Sequence, residues 1–76
     1  MIIFSDHAEN QRRIRKIPKI KILKTVKHAD EILYSYKGRE LHRRKFGNKI
    51  LEVVTVTENE NITIITQYYL GGKDEN

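Results

Sequence analysis

Hydrophobic and polar residues change their spacing near Glu31, and this change divides the chain into a helical part and a strand part. Before it, Ile22, Leu23 and Val26 form one apolar stripe at helical spacing, with lysines on the other faces. After it, β-branched and aromatic residues alternate with polar ones, as they do in half-buried strands. The pattern therefore predicts helices before residue 31 and an antiparallel sheet after it.

Two helices are predicted in the first part, over residues 7–16 and 18–28. Pro18 separates them, because proline interrupts a helix but fits the first turn of a new one. Ser5 or Asp6 is the predicted N-cap of the first helix, and Glu9 is placed to complete a capping box from Asp6.

Four strands are predicted in the second part, over residues 32–36, 39–46, 49–57 and 62–70. Gly38, Gly47-Asn48 and the polar run 58–61 mark the turns between them. Turns this close together favour an antiparallel meander with the two helices packed on one face. The expected fold is α+β, with a four-stranded antiparallel sheet and a core that includes Ile22, Val26, Val54 and Ile64 or Ile65.

Composition indicates one small domain over residues 1–70, followed by a disordered tail over 71–76. The 76 residues include no cysteine, which excludes disulfides and thiolate zinc sites and suits a reducing, cytoplasmic compartment. No apolar run approaches the roughly 20 residues that span a bilayer, so we expect no membrane association.

Positive charge is concentrated in one block, since residues 12–27 contain eight of the 15 Lys and Arg residues and no acidic residue. The rest of the chain is slightly acidic, so the formal net charge of +5 is a local feature. A basic face attracts polyanions. It leaves three interpretations open: a surface that binds nucleic acid, a face that docks on an acidic protein, and a solvated helix surface.

Metal-free acid–base chemistry on RNA is the reaction that these residue types suit. The three histidines lie on different predicted elements without a second ligand at metal spacing, and no glycine-rich phosphate loop is present, so we expect neither metal nor cofactor. RNA can be cleaved through its own 2′-hydroxyl if a protein moves two protons and stabilises the charged intermediate. The candidate catalytic residues are His7, His42, Arg44 and Tyr68, and the candidate RNA-binding residues are Arg12, Arg13, Arg15, Lys16 and Lys19.

Each catalytic candidate also has a structural interpretation. His7 can cap or pack at a helix start, and His42 can be a cross-strand neighbour. Tyr68 can be an aromatic residue of the sheet surface.

The run Phe4-Ser5-Asp6-His7-Ala8 resembles the start of a family of small proteins, domain of unknown function 4258, whose pattern reads F-x-x-H-A-x-x-R-x-x-x-R-G-I. The resemblance continues through Arg15 and Ile17 to the final strand, and so covers nearly the whole chain. Gln11 stands where the family usually has arginine, and Lys16 where it usually has glycine. The first departure removes one candidate phosphate contact.

Through this family the chain is similar to toxins of the RelE and BrnT groups, which belong to toxin–antitoxin pairs. The similarity implies a compact ribonuclease-like fold, and either cleavage of RNA or a fold derived from such a toxin, with an antitoxin as partner. The expected partners are RNA, with ribosome-associated mRNA as one candidate, and an acidic antitoxin. The first expectation is therefore a cytoplasmic, metal-free, toxin-type endoribonuclease. A non-catalytic module that binds nucleic acid and a protein that binds a partner are the alternatives.

Overall fold

The computed structural model describes residues 1–71 and contains one five-stranded sheet with two helices. The elements are β1 (Ile2–Phe4), α1 (Asp6–Ile14), α2 (Lys19–Lys27), β2 (Glu31–Tyr34), β3 (Arg39–Phe46), β4 (Lys49–Glu58) and β5 (Asn61–Tyr69). A short 3-10 turn over Tyr36–Gly38 joins β2 to β3. The α+β class is confirmed, whereas most of the predicted disordered tail, residues 72–76, lies outside the described residues.

The prediction of a four-stranded, purely antiparallel sheet is wrong, because the sheet has a fifth strand in its described part and is mixed. Its strand order is β1-β5-β4-β3-β2, and β1 runs parallel to β5 while the other pairs are antiparallel. Three residues are too few to show the alternation that marks a strand. β1 forms because its neighbour supplies the hydrogen bonds: Ile62 N donates to Met1 O, and Ser5 N donates to Ile64 O.

Ser5 is the N-cap of α1, since its hydroxyl accepts a hydrogen bond from Ala8 N at 3.0 Å. The predicted capping box from Asp6 is wrong, because Glu9 turns outward and accepts hydrogen bonds from Arg12. The helix ends with Arg15 as C-cap, and Lys16 adopts the left-handed conformation with φ of 57°. Pro18 then caps α2, so two short helices follow one another with a sharp turn between them.

The core lies between the helices and one face of the sheet. Its fully or nearly fully buried apolar side chains are Ala8, Ile17, Ile22, Val26, Leu51, Val53 and Ile64. Val54 is also buried, as predicted, but it alternates with Val53 along β4 and therefore lies on the opposite face.

Within residues 1–71 both helices lie on this one face, with α1 against β5 and β1 and α2 against β4 and β3. We call the other face the open face. Ile65 is an extra residue in β5, because Val54 pairs with Thr66 whereas Thr55 pairs with Ile64. This bulge keeps Thr55 and Ile64 on the helix face and leaves the residues on the carboxyl side of Ile65 in register with β4.

Candidate functional site

A row of four polar residues crosses the open face, one from each of four neighbouring strands. Glu31 of β2 pairs with Arg43 of β3, Arg43 with Glu52 of β4, and Glu52 with Tyr68 of β5. Directly opposite residues in antiparallel strands point to the same side and lie within contact distance. The sheet register therefore assembles a site from residues that are 37 positions apart in the sequence.

Glu52 is the centre of this row and is held on both sides. Its Oε1 accepts a hydrogen bond from Arg43 Nε at 2.6 Å, and its Oε2 accepts one from the Tyr68 hydroxyl at 2.5 Å. The Glu52 side chain is only 5% exposed, whereas that of Arg43 is 30% exposed. Glu31 lies further out, with its Oε1 at 4.0 Å from Arg43 Nη1. A buried carboxylate that accepts hydrogen bonds from two donors of this kind is fixed in position.

Tyr68 keeps its proton at neutral pH. Partial burial, together with the Glu52 carboxylate that accepts its hydrogen bond, raises the pKa of Tyr68 to about 12. The same carboxylate raises the pKa of Arg43, mainly through their hydrogen bond. The site therefore contains a neutral phenol and a permanent cation on either side of one carboxylate.

Tyr68 also lines a cleft of about 650 Å³ at the end of the sheet. The other lining residues are Arg15, Lys16, Ile17, Lys21, Lys49 and Tyr69. Four of these side chains are cationic and one more is aromatic, which are the groups that hold phosphates and stack on bases. We call this surface the basic cleft. It meets the polar row at Tyr68.

The position of Arg15 in the basic cleft is fixed by the free edge of β5. Within residues 1–71, β1 pairs with the first part of β5 up to Ile64, and the edge beyond Ile64 is open to side chains. Arg15 Nη1 donates to Gln67 O at 2.8 Å, and the buried Gln67 side chain donates back to Ala8 O at 2.9 Å. These two bonds tie the end of α1 to β5. They also hold one guanidinium near Tyr68, where its positive charge partly offsets the rise in the Tyr68 pKa.

Of the four predicted catalytic residues, only Tyr68 lies in this site. His7 is exposed in the first turn of α1. His42 is 5% exposed on the helix face, where its Nε2 lies 3.1 Å from Thr55 Oγ1 and 3.5 Å from Glu40 Oε1. His42 is carried by β3, whereas His7 is carried by α1, which packs against β5. In the sheet order β3 and β5 are two strands apart, a lateral separation of about 10 Å.

Arg44 has a structural position on the helix face. Its Nη1 donates to His28 O at 2.6 Å, and its guanidinium lies 5.6 Å from the Phe46 ring centroid. The hydrogen bond ties β3 to the end of α2, and the ring contact lies within β3. The structure therefore does not bring His7, His42 and Arg44 together with Tyr68.

The predicted RNA-binding residues fall into two groups. Arg15 and Lys16 line the basic cleft. Arg12, Arg13 and Lys19 instead surround Glu9, with N–O distances of 2.9, 3.3 and 3.8 Å. Arg12 in particular lowers the pKa of Glu9 through its hydrogen bond. Glu9 thus neutralises part of the basic block outside the cleft.

Glu52 was missed by sequence reasoning, which also chose Arg44 instead of its neighbour Arg43 and did not assign Lys21 or Lys49 to RNA binding. One signal for Glu52 was present: it is the one charged residue in the otherwise apolar and threonine-containing run from Ile50 to Thr57. A charge at such a position must be paired if it is buried.

Comparisons with known proteins add no assignment, because no protein-family model, no curated protein and no solved structure matches this chain. In the described part, no group of three or more His, Asp or Glu side chains is arranged to hold a metal ion. Neither of the two helices is long and apolar enough to cross a membrane. The function must therefore be inferred from the geometry of the side chains.

Proposed function

We propose that this protein binds single-stranded RNA in the basic cleft and cleaves it, without a metal ion, at Tyr68 and Glu52. One observation carries the proposal: Tyr68 lines the basic cleft, and its hydroxyl donates a hydrogen bond to the buried carboxylate of Glu52. A phosphodiester held by the cleft cations would lie beside a group that is able to exchange protons. The similarity to toxin-type ribonucleases, proposed from the sequence, is consistent with this chemistry.

The cations of the basic cleft supply the phosphate contacts. Arg15 can bind two phosphate oxygens with its planar guanidinium, while Lys16, Lys21 and Lys49 contribute further positive charges. Lys49 Nζ lies 5.3 Å from the Tyr69 ring centroid, so a charge and an aromatic face occur together there. RNA would lie with its backbone on the cations and a base on a tyrosine ring.

Proton transfer would pass through Tyr68. The ribose 2′-hydroxyl gives its proton to Tyr68 Oη while the Tyr68 proton moves to Glu52 Oε2, and the 2′-oxygen attacks phosphorus. The reverse transfer gives a proton to the departing 5′-oxygen, which leaves a 2′,3′-cyclic phosphate and a 5′-hydroxyl. Because its pKa is raised, Tyr68 does not readily become a free phenolate. In the relay it passes its own proton to Glu52 as it takes the proton of the 2′-hydroxyl, so no phenolate is needed.

Non-catalytic binding of nucleic acid is the second candidate. Both oxygens of Glu52 already accept hydrogen bonds, which is also the arrangement of a purely structural ion pair. In that case the basic cleft would bind RNA, and the polar row would only stabilise the sheet.

Cleavage of a labelled oligonucleotide distinguishes the two candidates. The assay uses single-stranded RNA in EDTA, next to a matched oligonucleotide with deoxyribose throughout. We expect cleavage of the RNA alone, with 2′,3′-cyclic phosphate ends detected by mass spectrometry. Tyr68→Phe should slow the reaction by about 10²–10⁴-fold, the range for a general acid or base.

Tyr69→Phe is the matched control, because it deletes the same atom from the neighbouring cleft residue and keeps the ring. Equal rates for the two variants would remove Tyr68 from the chemistry. Binding that weakens with salt, without any cleavage, would support the second candidate instead. No binding to RNA would contradict both.

A further inference from the structure

β2 forms an edge of the sheet, and its outer side has a free row of backbone groups. Strand β2 is last in the order and pairs only with β3 within residues 1–71. Ser35 N donates to Arg39 O, so the odd-numbered residues of this strand face β3. Because hydrogen-bonding direction alternates along an antiparallel strand, Ile32 and Tyr34 direct their N–H and C=O groups away from the sheet.

Three of the features that keep edge strands from pairing are absent here, since residues 31–35 contain no Lys, no Pro and no bulge. The strand itself is short, with four residues. Ile32 is 43% exposed and Tyr34 is 76% exposed. The two acids at the start of the strand are already engaged, since Asp30 Oδ2 accepts from Lys45 N and Glu31 faces Arg43.

We propose that β2 pairs antiparallel with β2 of a second copy of this chain, with the two Leu33 residues opposite each other. In this register Ile32 of each copy lies opposite Tyr34 of the other, and both are residues whose backbone groups point outward. Each Ile32–Tyr34 pair forms two backbone hydrogen bonds between the copies. The exposed side chains of Ile32 and Tyr34 then lie side by side on the helix face and cover one another.

The open face supports the same register. Leu33 pairs with Leu41 and Leu41 with Val54, so an apolar row runs beside the polar row. Two Leu33 side chains in contact would join the apolar rows of both copies into one. Shifting the centre to Ile32 would instead place Leu33 opposite Glu31 and Tyr34 opposite Asp30. The register centred on Leu33 is therefore the one in which this strand is complementary to a second copy of itself.

Charge and distance allow this dimer together with an occupied basic cleft. The basic block lies in the helices and their connection, whereas residues 29–36 contain only acidic charges, so the pairing strand carries none of the basic block. The clefts lie at β5, seven strand spacings apart in the joined sheet, or about 34 Å. Pairing therefore leaves both clefts open.

A single cysteine tests the register, because the natural chain contains none. Residues opposite each other in a non-hydrogen-bonded pair lie about 4.5 Å apart at Cα, within the range of a disulfide. We expect Leu33→Cys to form a disulfide-linked dimer under mild oxidation at least about ten times faster than Ile20→Cys. Ile20 is the control for random collision, since it is 64% exposed on α2, away from β2.

Ile32→Cys tests the shifted register, and a faster reaction there than at Leu33 would overturn the proposal. Sedimentation velocity at several concentrations measures dimer formation by the chain without any substitution. We expect weak, concentration-dependent dimers, as an interface this small predicts, and we expect Tyr34→Lys to abolish them. A chain that stays monomeric throughout the series would refute self-pairing and leave the edge to a strand of another protein.

Discussion

Deleting the Tyr68 hydroxyl gives the sharpest test of the polar row, because a single oxygen connects the basic cleft to the buried carboxylate. In Tyr68→Phe, Glu52 Oε2 loses a donor at 2.5 Å, while the Glu52 side chain remains only 5% exposed. Hydrogen bonds to charged groups contribute about 1.5–3 kcal/mol, and we take the lower end because Tyr68 is half-buried. The expected loss in the free energy of unfolding is therefore about 1.5 kcal/mol.

For a domain of this size a loss of about 1.5 kcal/mol lowers Tm by about 6–12 °C. It is small against a total stability of about 5–15 kcal/mol, so Tyr68→Phe should remain folded. A loss of RNA cleavage by this variant could then be assigned to the chemistry. Thermal and urea unfolding, followed by circular dichroism, measure the change.

Two further variants make the measurement specific. Tyr69→Phe deletes the same atom one residue away, and its loss should stay below about 0.5 kcal/mol, because the ring on which Lys49 lies is retained. In a Glu52→Gln background the hydroxyl deletion should cost less, about 0.5–1.5 kcal/mol, since the acceptor is neutral. Equal losses for Tyr68→Phe and Tyr69→Phe would refute a stabilising bond between Tyr68 and Glu52.

Three further predictions concern the cleft, the pH dependence and the core. Replacing Lys16 and Lys21 by Gln should flatten the slope of log binding constant against log salt concentration, by about 0.7 for each RNA phosphate that the protein no longer neutralises. Arg13→Gln should change it little, because Arg13 contacts Glu9; fluorescence anisotropy at several salt concentrations measures both. The pKa of Tyr68, about 12, lies above its ordinary value of 10.0, so the stability it contributes is present below pH 10 and is lost as pH rises through 12. An absorbance titration at alkaline pH should show this midpoint, and Glu52→Gln should move it downward. Ile64→Ala should cost about 2–5 kcal/mol in urea unfolding, because Ile64 is fully buried in the core on the helix face of β5; a cost below about 1 kcal/mol would contradict this core assignment.

The sequence by itself determined the local elements of this protein, because each depends on neighbouring residues. The strands predicted over residues 49–57 and 62–70 agree with β4 and β5 to within a residue at each end, and the strand predicted over 39–46 agrees with β3 at both ends. Alternating apolar residues and a Gly-Asn turn mark these strands without reference to anything distant. The helices were predictable for the same reason, and their placement on one face followed from the need to cover the sheet.

Only the tertiary structure decided which residues meet. β1 has three residues and exists because β5 lies beside it, so no local pattern revealed it. His42 carries the residue type of a catalyst, yet its position on the helix face of β3 buries it beside Thr55. Arg43, one residue further, faces the open side, where the register of β3, β4 and β5 brings it to Glu52 and Tyr68. Residue type can be read along the chain, but the face and the register that turn residues into a site are set by the pairing of distant strands.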